Sequence, residues 1–257
     1  MKKLISAALC AVLVLSLFCA SGCSKKSNDD TDNTEPLKLG LGVHSYSDNA
    51  TNAEGELNGK GQLTVTAAAV LVNADGKIVK CVIDTAECIA EYTSEGKYIP
   101  SKDFKTKYEL GDSYGMKSIA GSQKEWFEQI DALTSLVAGK TLTEIGALVT
   151  ESGKGNDDVI SAGCTINVSD FILALEKAVK SASNSDANAS SSLQLKISTS
   201  QSGKDAATNA NGYNELKSNI TVTALDKDGR SIASRDNTAE ATYYFNSNGE
   251  VKKAENN

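Results

Sequence analysis

An internal repeat constrains the fold of this 257-residue chain more than any other feature. The segment TNAEG at 51–55 recurs as TNANG at 208–212, and LTVTA at 63–67 recurs as ITVTA at 220–224, both 157 residues later. A constant offset between two separate matches indicates a repeated structural unit, because unrelated similarities would fall at unrelated spacings.

The second half of the repeat follows at a slightly shorter spacing. DGK at 75–77 matches DGR at 228–230, and DTAE at 84–87 matches NTAE at 237–240, each 153 residues later. Two constant offsets over some forty residues predict that the chain contains the same unit twice, with a four-residue deletion in the second copy.

Each copy is predicted to form antiparallel strands. Every second residue is apolar across 37–43 and again across 193–197, which is the period of a half-buried strand. The Asp-Gly pairs at 75–76 and 228–229 are typical of tight hairpin turns that return the chain into a following strand. We therefore expect a short antiparallel meander in each copy.

A helical section lies between the copies and occurs once. Ser122 and Glu125 have the spacing of a capping box, and an apolar helical face follows that ends before Gly139. A second box at 141–144 predicts a second helix, and Ser169 is the predicted cap of a third. The predicted fold class is α+β: an antiparallel β meander with a three-helix section, followed by a second partial copy of the β unit.

These patterns predict three regions after the N-terminal segment. Residues 37–182 are expected to form an α+β domain, and the polar stretch SNSDANASSS at 183–192 is expected to be a linker. Residues 193–257 are expected to be a truncated β repeat of the first domain, because the chain ends where its helices would begin.

The first residues have the pattern of an export signal. A basic start, an apolar run too short to cross a bilayer and small residues before Cys23 resemble the bacterial lipobox. The interpretation is a lipoprotein signal peptide at 1–22, lipidation of Cys23 and a flexible, polar tether at 23–36. We expect a lipid-anchored protein on the extracytoplasmic side of the cell membrane; plain secretion is the alternative.

Composition excludes several classes of function. The chain has 26 basic against 33 acidic residues, so it lacks the charge to neutralise phosphates and no nucleic-acid partner is expected. Beyond the signal segment the cysteines are Cys81, Cys88 and Cys164, so at least one thiol is free or pairs between chains. Zinc would need a fourth ligand from His44, the one histidine, so no metal site is expected. No Ser or Cys motif accompanies His44, so no set of catalytic residues is expected.

Four segments of the first copy share their pattern with a known family. They read KYELGDSYGMK at 107–117, KEWFEQ at 124–129, VAGKT at 137–141 and DVISAGCTI at 158–166. These segments resemble the FMN-binding-domain lipoproteins of Gram-positive bacteria, including the flavinylated lipoprotein of extracellular electron transfer. More distantly they are similar to the FMN-carrying subunits of the Rnf and sodium-pumping quinone reductase complexes. The resemblance covers about 37–182.

The resemblance implies an electron carrier with FMN as cofactor, membrane redox proteins as partners and a flavin transferase as modifying enzyme. In that family the transferase moves FMN from FAD onto a Thr or Ser hydroxyl in a motif Asp-x-x-Ser/Thr-x-x-Thr. The corresponding residues here are Asp158, Ser161 and Thr165, although counting from Asp158 places the acceptor position on Cys164. The structural alternative is that 164–168 is a strand feeding the third helix.

Three residues in the family-like segments are candidates for the wall of a flavin site. They are Tyr114, Met116 and Trp126, since an isoalloxazine ring needs aromatic or soft apolar surfaces against its faces. The alternative is that Trp126 is simply a core residue on the apolar face of a helix. The matching alternative for the whole protein is a cofactor-free surface lipoprotein that acts as a ligand-binding or interaction module.

Overall fold

A computed structural model describes residues 35–252. The predicted signal peptide at 1–22, the lipidated Cys23 and nearly all of the predicted tether lie outside the described residues. In chain order the described elements are β1 (Lys38–Thr51), β2 (Gly59–Val72), β3 (Ile78–Tyr92), β4 (Tyr98–Ile99), α1 (Lys107–Leu110), a 3₁₀ turn (Gly111–Tyr114), α2 (Trp126–Val137), α3 (Leu142–Gly146), α4 (Asp157–Ala162), α5 (Ser169–Ser181), β5 (Ser183–Asn184), β6 (Ser192–Lys204), β7 (Gly212–Leu225), β8 (Ser231–Phe245) and β9 (Val251–Lys252).

The strands form two antiparallel sheets, and with the helices they confirm the α+β class. The first sheet has the order β4-β3-β2-β1-β5 and the second β6-β7-β8-β9. The predicted hairpin turns at 75–76 and 228–229 are also confirmed, since Gly76 and Gly229 have φ values of 76° and 78°, which favour glycine.

Strand β2 shows that the molecule has three layers, because it is buried on both faces. Leu63 and Val65 point into a core shared with Leu216 and Ile220 of the second sheet. The other face of the first sheet packs beneath the helices, in a second core that includes Ala68, Val70, Trp126, Ile130, Leu133 and Leu175. A strand buried on both sides requires the nearly continuous apolar run that β2 carries.

Two glycines let helix α5 lie directly on strand β1. A Cβ atom at Gly40 would stand 2.0 Å from the carbonyl oxygen of Ala178, and one at Gly42 would stand 2.0 Å from that of Ala174. Any side chain there would force the helix away from the sheet. Close approach of the helix backbone therefore explains both glycines.

The predicted linker at 183–192 is not a freely solvated connection. Ser183–Asn184 form β5 beside β1, and Ala187 is fully buried with its carbonyl oxygen accepting a 2.7 Å bond from the Leu37 amide. Backbone groups that lie against a sheet need partners, and this segment finds them in β1. Both sheets belong to one compact unit.

The two hairpins β2–β3 and β7–β8 have the same register at one constant spacing. Leu63 lies opposite Cys88, and Leu216 lies opposite Ala241, each partner 153 residues later. In the strand ladder, residues 63–67 therefore correspond to 216–220 and not to 220–224, so the predicted offset of 157 is wrong there by four residues. The alternation was still predicted correctly, because an even shift leaves the same side chains on the same face.

The helical section differs in detail from the prediction. Helix α2 begins after Glu125, whose side chain forms the capping box with Glu128, so Ser122 is not the cap. The predicted box of Thr141 with Glu144 at the start of α3 is confirmed. Helix α5 does begin at Ser169, but its N-cap residue is Val168.

Helices α1 and α4 and the 3₁₀ turn were not predicted. The section that was predicted to contain three helices therefore contains five α-helices in the described residues. Cys164 to Val168 form a loop with one isolated bridge at Asn167, and the alternative of a strand there is wrong. Within the described part of the chain, every helix falls short of the length and apolarity that crossing a lipid bilayer demands.

Candidate functional site

A cleft of about 670 Å³ opens between the helices and the first sheet. This volume lies within the range of about 300–1,000 Å³ that is usual for small-molecule sites. The cleft lies where the helix-facing side of β2 and β3 changes from apolar to polar: Thr64, Thr66 and Thr85 line it, whereas Ala68 and Val70 pack beneath the helices.

The floor of the cleft is a pair of threonine hydroxyls. Thr66 Oγ1 and Thr85 Oγ1 are 3.0 Å apart and hydrogen-bonded, and both side chains are buried. A hydroxyl both donates and accepts, so this pair keeps spare hydrogen-bonding capacity. The floor can therefore bond the polar edge of a ligand.

The wall contains the three predicted ring-contact residues. Tyr114, Met116 and Trp126 all line the cleft. The Trp126 ring packs edge-on against Phe171, with centroids 5.9 Å apart and an interplanar angle of 70°. Trp126 therefore contributes both to the helical core and to the wall of the cleft.

Glu125 holds the wall segment in place. Glu125 is 2% exposed, and its carboxylate accepts hydrogen bonds from the backbone amides of Met116 at 2.8 Å and Lys117 at 3.0 Å. Bonds from an amide to a carboxylate are stronger than neutral ones. Sequence reasoning missed this role because Glu125 was assigned as the third residue of a box beginning at Ser122.

Lys107 places a positive charge inside the cleft. Its ammonium lies 2.6 Å from Glu87 and 4.9 Å from the centroid of the Tyr114 ring. Burial alone would lower the pKa of Lys107, but hydrogen bonds and charge from Glu87 and Tyr114 outweigh it and the pKa is raised. Helix α1 was missed, although Thr106 and Glu109 carry the capping-box signal that begins it.

The predicted attachment motif is only partly brought to the cleft. Asp158 and Ser161 lie exposed on helix α4 and do not line the cleft, so the structure does not place them with the wall residues. Thr165 is exposed, and the next two residues, Ile166 and Asn167, do line it. Thr165 therefore stands at the rim of the cleft.

The end of α4 explains why Thr165, rather than Cys164, faces outward. Gly163 has φ 101° and ends the helix in the left-handed conformation, and the Cys164 side chain then enters the helical core with no exposed surface. Burial raises the pKa of the Cys164 thiol to about 11, so little of it is thiolate at neutral pH. The residue at the counted acceptor position is thus a core residue.

Thr165 is held by a buried glutamine that sequence reasoning did not single out. The backbone amide and the hydroxyl of Thr165 both donate to Oε1 of Gln129, at 2.8 and 3.1 Å. Lys124 is close by, since a Cβ atom at Gly163 would stand 2.0 Å from its Nζ. The Lys124 ammonium therefore lies against Gly163, two residues before Thr165.

A second cavity of about 310 Å³ lies between β3, α2 and the start of β6. Asp84 lines it, and burial raises the pKa of its carboxyl to about 6 even though bonds from Thr106, Thr85 and Tyr108 act in the opposite direction.

All three cysteines at 81, 88 and 164 are free thiols. Among residues 35–252, no three His, Cys, Asp or Glu side chains could hold a metal ion.

Comparison with known proteins yields one partial similarity. No family model and no solved structure matches the chain. A chlorophenol reductase of Desulfitobacterium hafniense is 32% identical over 123 residues, which is 42% of this chain and 36% of that protein. The chain thus spans about a third of the length of the curated relative that it matches.

Proposed function

We propose that this protein is an exported, lipid-anchored FMN-binding protein that carries electrons outside the cytoplasm. The observation that carries the proposal is the cleft of about 670 Å³, with Tyr114, Met116 and Trp126 on its wall and the exposed residue Thr165 at its rim. FMN, when bound, supplies one- and two-electron redox chemistry, and the protein supplies binding and orientation.

The lining of the cleft fits the ring system of a flavin. Aromatic and thioether side chains on the wall suit the faces of a large planar ring, and the threonine pair on the floor suits its polar edge. Met116 adds a polarizable side chain that adapts to the ring. These residues would hold the ring, while backbone bonds to Glu125 keep the wall segment in place.

Charge indicates which end of FMN faces inward. Glu87 and Asp170 line the cleft together with Lys107, so its ionised lining is net negative and disfavours a phosphate there. Lys124 and Thr165 lie at the rim. We therefore place the ring within the cleft and the phosphate outside it, at the point where an ester to the Thr165 hydroxyl would form.

We also infer that the second sheet is a partial copy of the first and carries no second flavin. Support comes from the shared hairpin register and from reciprocal contacts between equivalent residues. The Ala53 amide donates to the Gly249 carbonyl at 2.8 Å, and the Ala206 amide donates to the Gly96 carbonyl at 2.7 Å. The cleft needs helices, and within residues 35–252 the α-helices all lie between the two β units, so one flavin is expected in this part of the chain.

A redox role also suits the name of the partially similar protein, which is a reductase. The match covers about a third of that protein, so its activity on chlorophenols is not transferred to this chain. An electron carrier needs no substrate chemistry of its own, and membrane redox proteins are the proposed partners.

The test is co-production with a flavin transferase, followed by mass spectrometry and in-gel fluorescence. The expected result is a fluorescent band on a denaturing gel and a mass increase of one FMN less water. Thr165→Ala should abolish the label, Thr165→Ser should keep it, and Cys164→Ser should leave it at position 165.

Non-covalent binding has its own measurement, because the chain has a single tryptophan and it lines the cleft. Titration with FMN should quench Trp126 fluorescence with a stoichiometry of one per chain. A protein that is neither labelled by the transferase nor quenched by FMN would contradict the proposed function and leave the cofactor-free alternative.

A further inference from the structure

The first turn of helix α2 holds both sides of the cleft rim. Glu125 and Gln129 are one helical turn apart on the same face and are 2% and 1% exposed. Glu125 binds the backbone of the wall segment at Met116 and Lys117, whereas Gln129 binds Thr165. One rigid element thus sets the position of the ring wall and of the hydroxyl relative to each other.

The hydrogen bonds of Gln129 determine the orientation of its amide. The backbone N–H of Thr165 can only donate, so the atom that faces it must be the acceptor Oε1. Nε2 then points toward the Lys124 carbonyl oxygen at 3.3 Å and the Ser122 hydroxyl at 3.4 Å. A buried amide needs these partners, because an unsatisfied buried polar group is destabilising.

This orientation also determines how the Thr165 hydroxyl is presented. Its proton is directed at Gln129 Oε1, 3.1 Å away, so the oxygen lone pairs point elsewhere on an exposed residue. The backbone bond from the same residue fixes the loop beside Gln129, so the hydroxyl stays within reach of that acceptor. Lys124 adds positive charge beside Gly163, two residues before Thr165.

We propose that Gln129 is the positioning residue for flavin attachment, which orients the Thr165 hydroxyl for reaction through its acceptor Oε1; this inference rests on the proposed function. In that reaction Thr165 Oγ1 forms a bond to the FMN phosphorus of FAD, the bond from that phosphorus to the AMP phosphate oxygen breaks, and AMP leaves. The hydroxyl proton passes to the modifying enzyme or to water. Effective positioning of a nucleophile is a large source of rate.

The experiment compares initial rates of FMN incorporation by a flavin transferase with FAD, at a temperature where every variant is folded. Gln129→Leu keeps the approximate volume but loses both bonds to Thr165, and we expect its rate to fall about tenfold or more. Gln129→Glu keeps an oxygen acceptor for those bonds, so its rate should lie nearer to that of the natural chain than to that of Gln129→Leu.

Asn214→Leu is the matched control, because Asn214 is also a fully buried amide but lies in the second sheet, bonded to Gln201 and to the Glu91 carbonyl. It should lower stability without slowing incorporation. Amide hydrogen exchange at Thr165, slow in the natural chain and fast in Gln129→Leu, reports the same hydrogen bond without any flavin.

Three results would overturn the inference. A folded Gln129→Leu labelled at the natural rate would show that Gln129 has no positioning role, while the proposed function would stand. Equal slowing in Gln129→Glu and Gln129→Leu would mean that the acceptor oxygen is not what matters. If the natural chain is neither labelled nor quenched by FMN, the proposed function fails and this inference fails with it.

Discussion

The outer faces of the two sheets differ, although their strand ladders correspond. Gly42 lies opposite Ala68 in the first sheet, and at the corresponding place in the second sheet Lys196 lies opposite Thr221. The small residues lie under helix α5, whereas the lysine is exposed. Similar strands can therefore form either a covered or a solvated face, and only the covered one meets helices that complete a cleft.

The inner faces, by contrast, contribute to the same core. Leu63 and Leu216 hold the same ladder position and are both fully buried between the sheets. Tyr92 and Phe245, also equivalent in the ladder, stack with their centroids 4.5 Å apart and their planes 7° from parallel. Each sheet supplies the apolar cover of the other, so the second sheet is part of the fold that supports the cleft.

The largest expected effect comes from removing the second sheet by ending the chain at residue 192. The buried faces of β1, β2 and β3 would meet water, and exposure of so much apolar area removes the main driving force for folding. We expect loss of cooperative unfolding in near-ultraviolet circular dichroism and association in size-exclusion chromatography. A monomeric truncated chain with a sharp transition would instead make 37–182 an independent domain.

The next effect tests the two outer faces directly. Gly42→Ala would place a Cβ atom 2.0 Å from the Ala174 carbonyl oxygen, and displacing α5 should lower the free energy of unfolding by about 2–4 kcal/mol. Lys196→Ala, at the corresponding exposed position, should change it by less than about 0.5 kcal/mol. Urea denaturation measures both, and equal effects would contradict the difference between the faces.

A smaller, pH-dependent effect follows from Asp84, which corresponds to Asn237 in the second sheet. The Asp84 side chain accepts a 2.7 Å hydrogen bond from the Thr85 amide, and the Asn237 side chain accepts one of the same length from the Thr238 amide. Burial raises the pKa of Asp84 to about 6, so the folded state holds the proton more tightly than the unfolded state. The contribution of Asp84 to stability is therefore greatest in acid and is lost as the pH rises from about 4 to 6.

Asp84→Asn should remove this loss while keeping the acceptor oxygen. We expect the free energy of unfolding to rise by about 1–2 kcal/mol at pH 7 and to change little at pH 4. The reciprocal control Asn237→Asp lies at an exposed position and should change it by less than about 0.5 kcal/mol at pH 7. Denaturation at the two pH values measures both; a destabilised Asp84→Asn at pH 7 would contradict the proposed cost of burial.

Periodicity predicted the long strands and the two long helices because each of them buries one regular face. Helices α1 and α4 have four and six residues, too few to show a period of 3.6. The start of α2 was misplaced because Ser122, Glu125 and Glu128 offer two overlapping capping boxes, and only packing selects between them. The linker was misjudged because Ser183–Asn184 pair with Lys38 and Leu39 of β1, more than 140 residues earlier.

For the candidate site, the segments that resemble the flavoprotein family predicted Tyr114, Met116 and Trp126, which line the cleft, and Thr165, which follows beside it. They also predicted Asp158 and Ser161, which the structure does not bring to the cleft. Sequence did not single out Lys107 or Gln129. Buried polar side chains carry no periodic signal, since their role depends on partners that are distant in the chain. Gln129 is 36 residues from Thr165.

The amino-acid sequence by itself determined the strand alternation and the hairpin turns, because these depend on neighbouring residues. Only the tertiary structure decided which sheet face is covered and that Cys164 points inward while Thr165 points outward. Both outcomes depend on where a helix ends and what packs against it, and those contacts join residues that the chain keeps far apart.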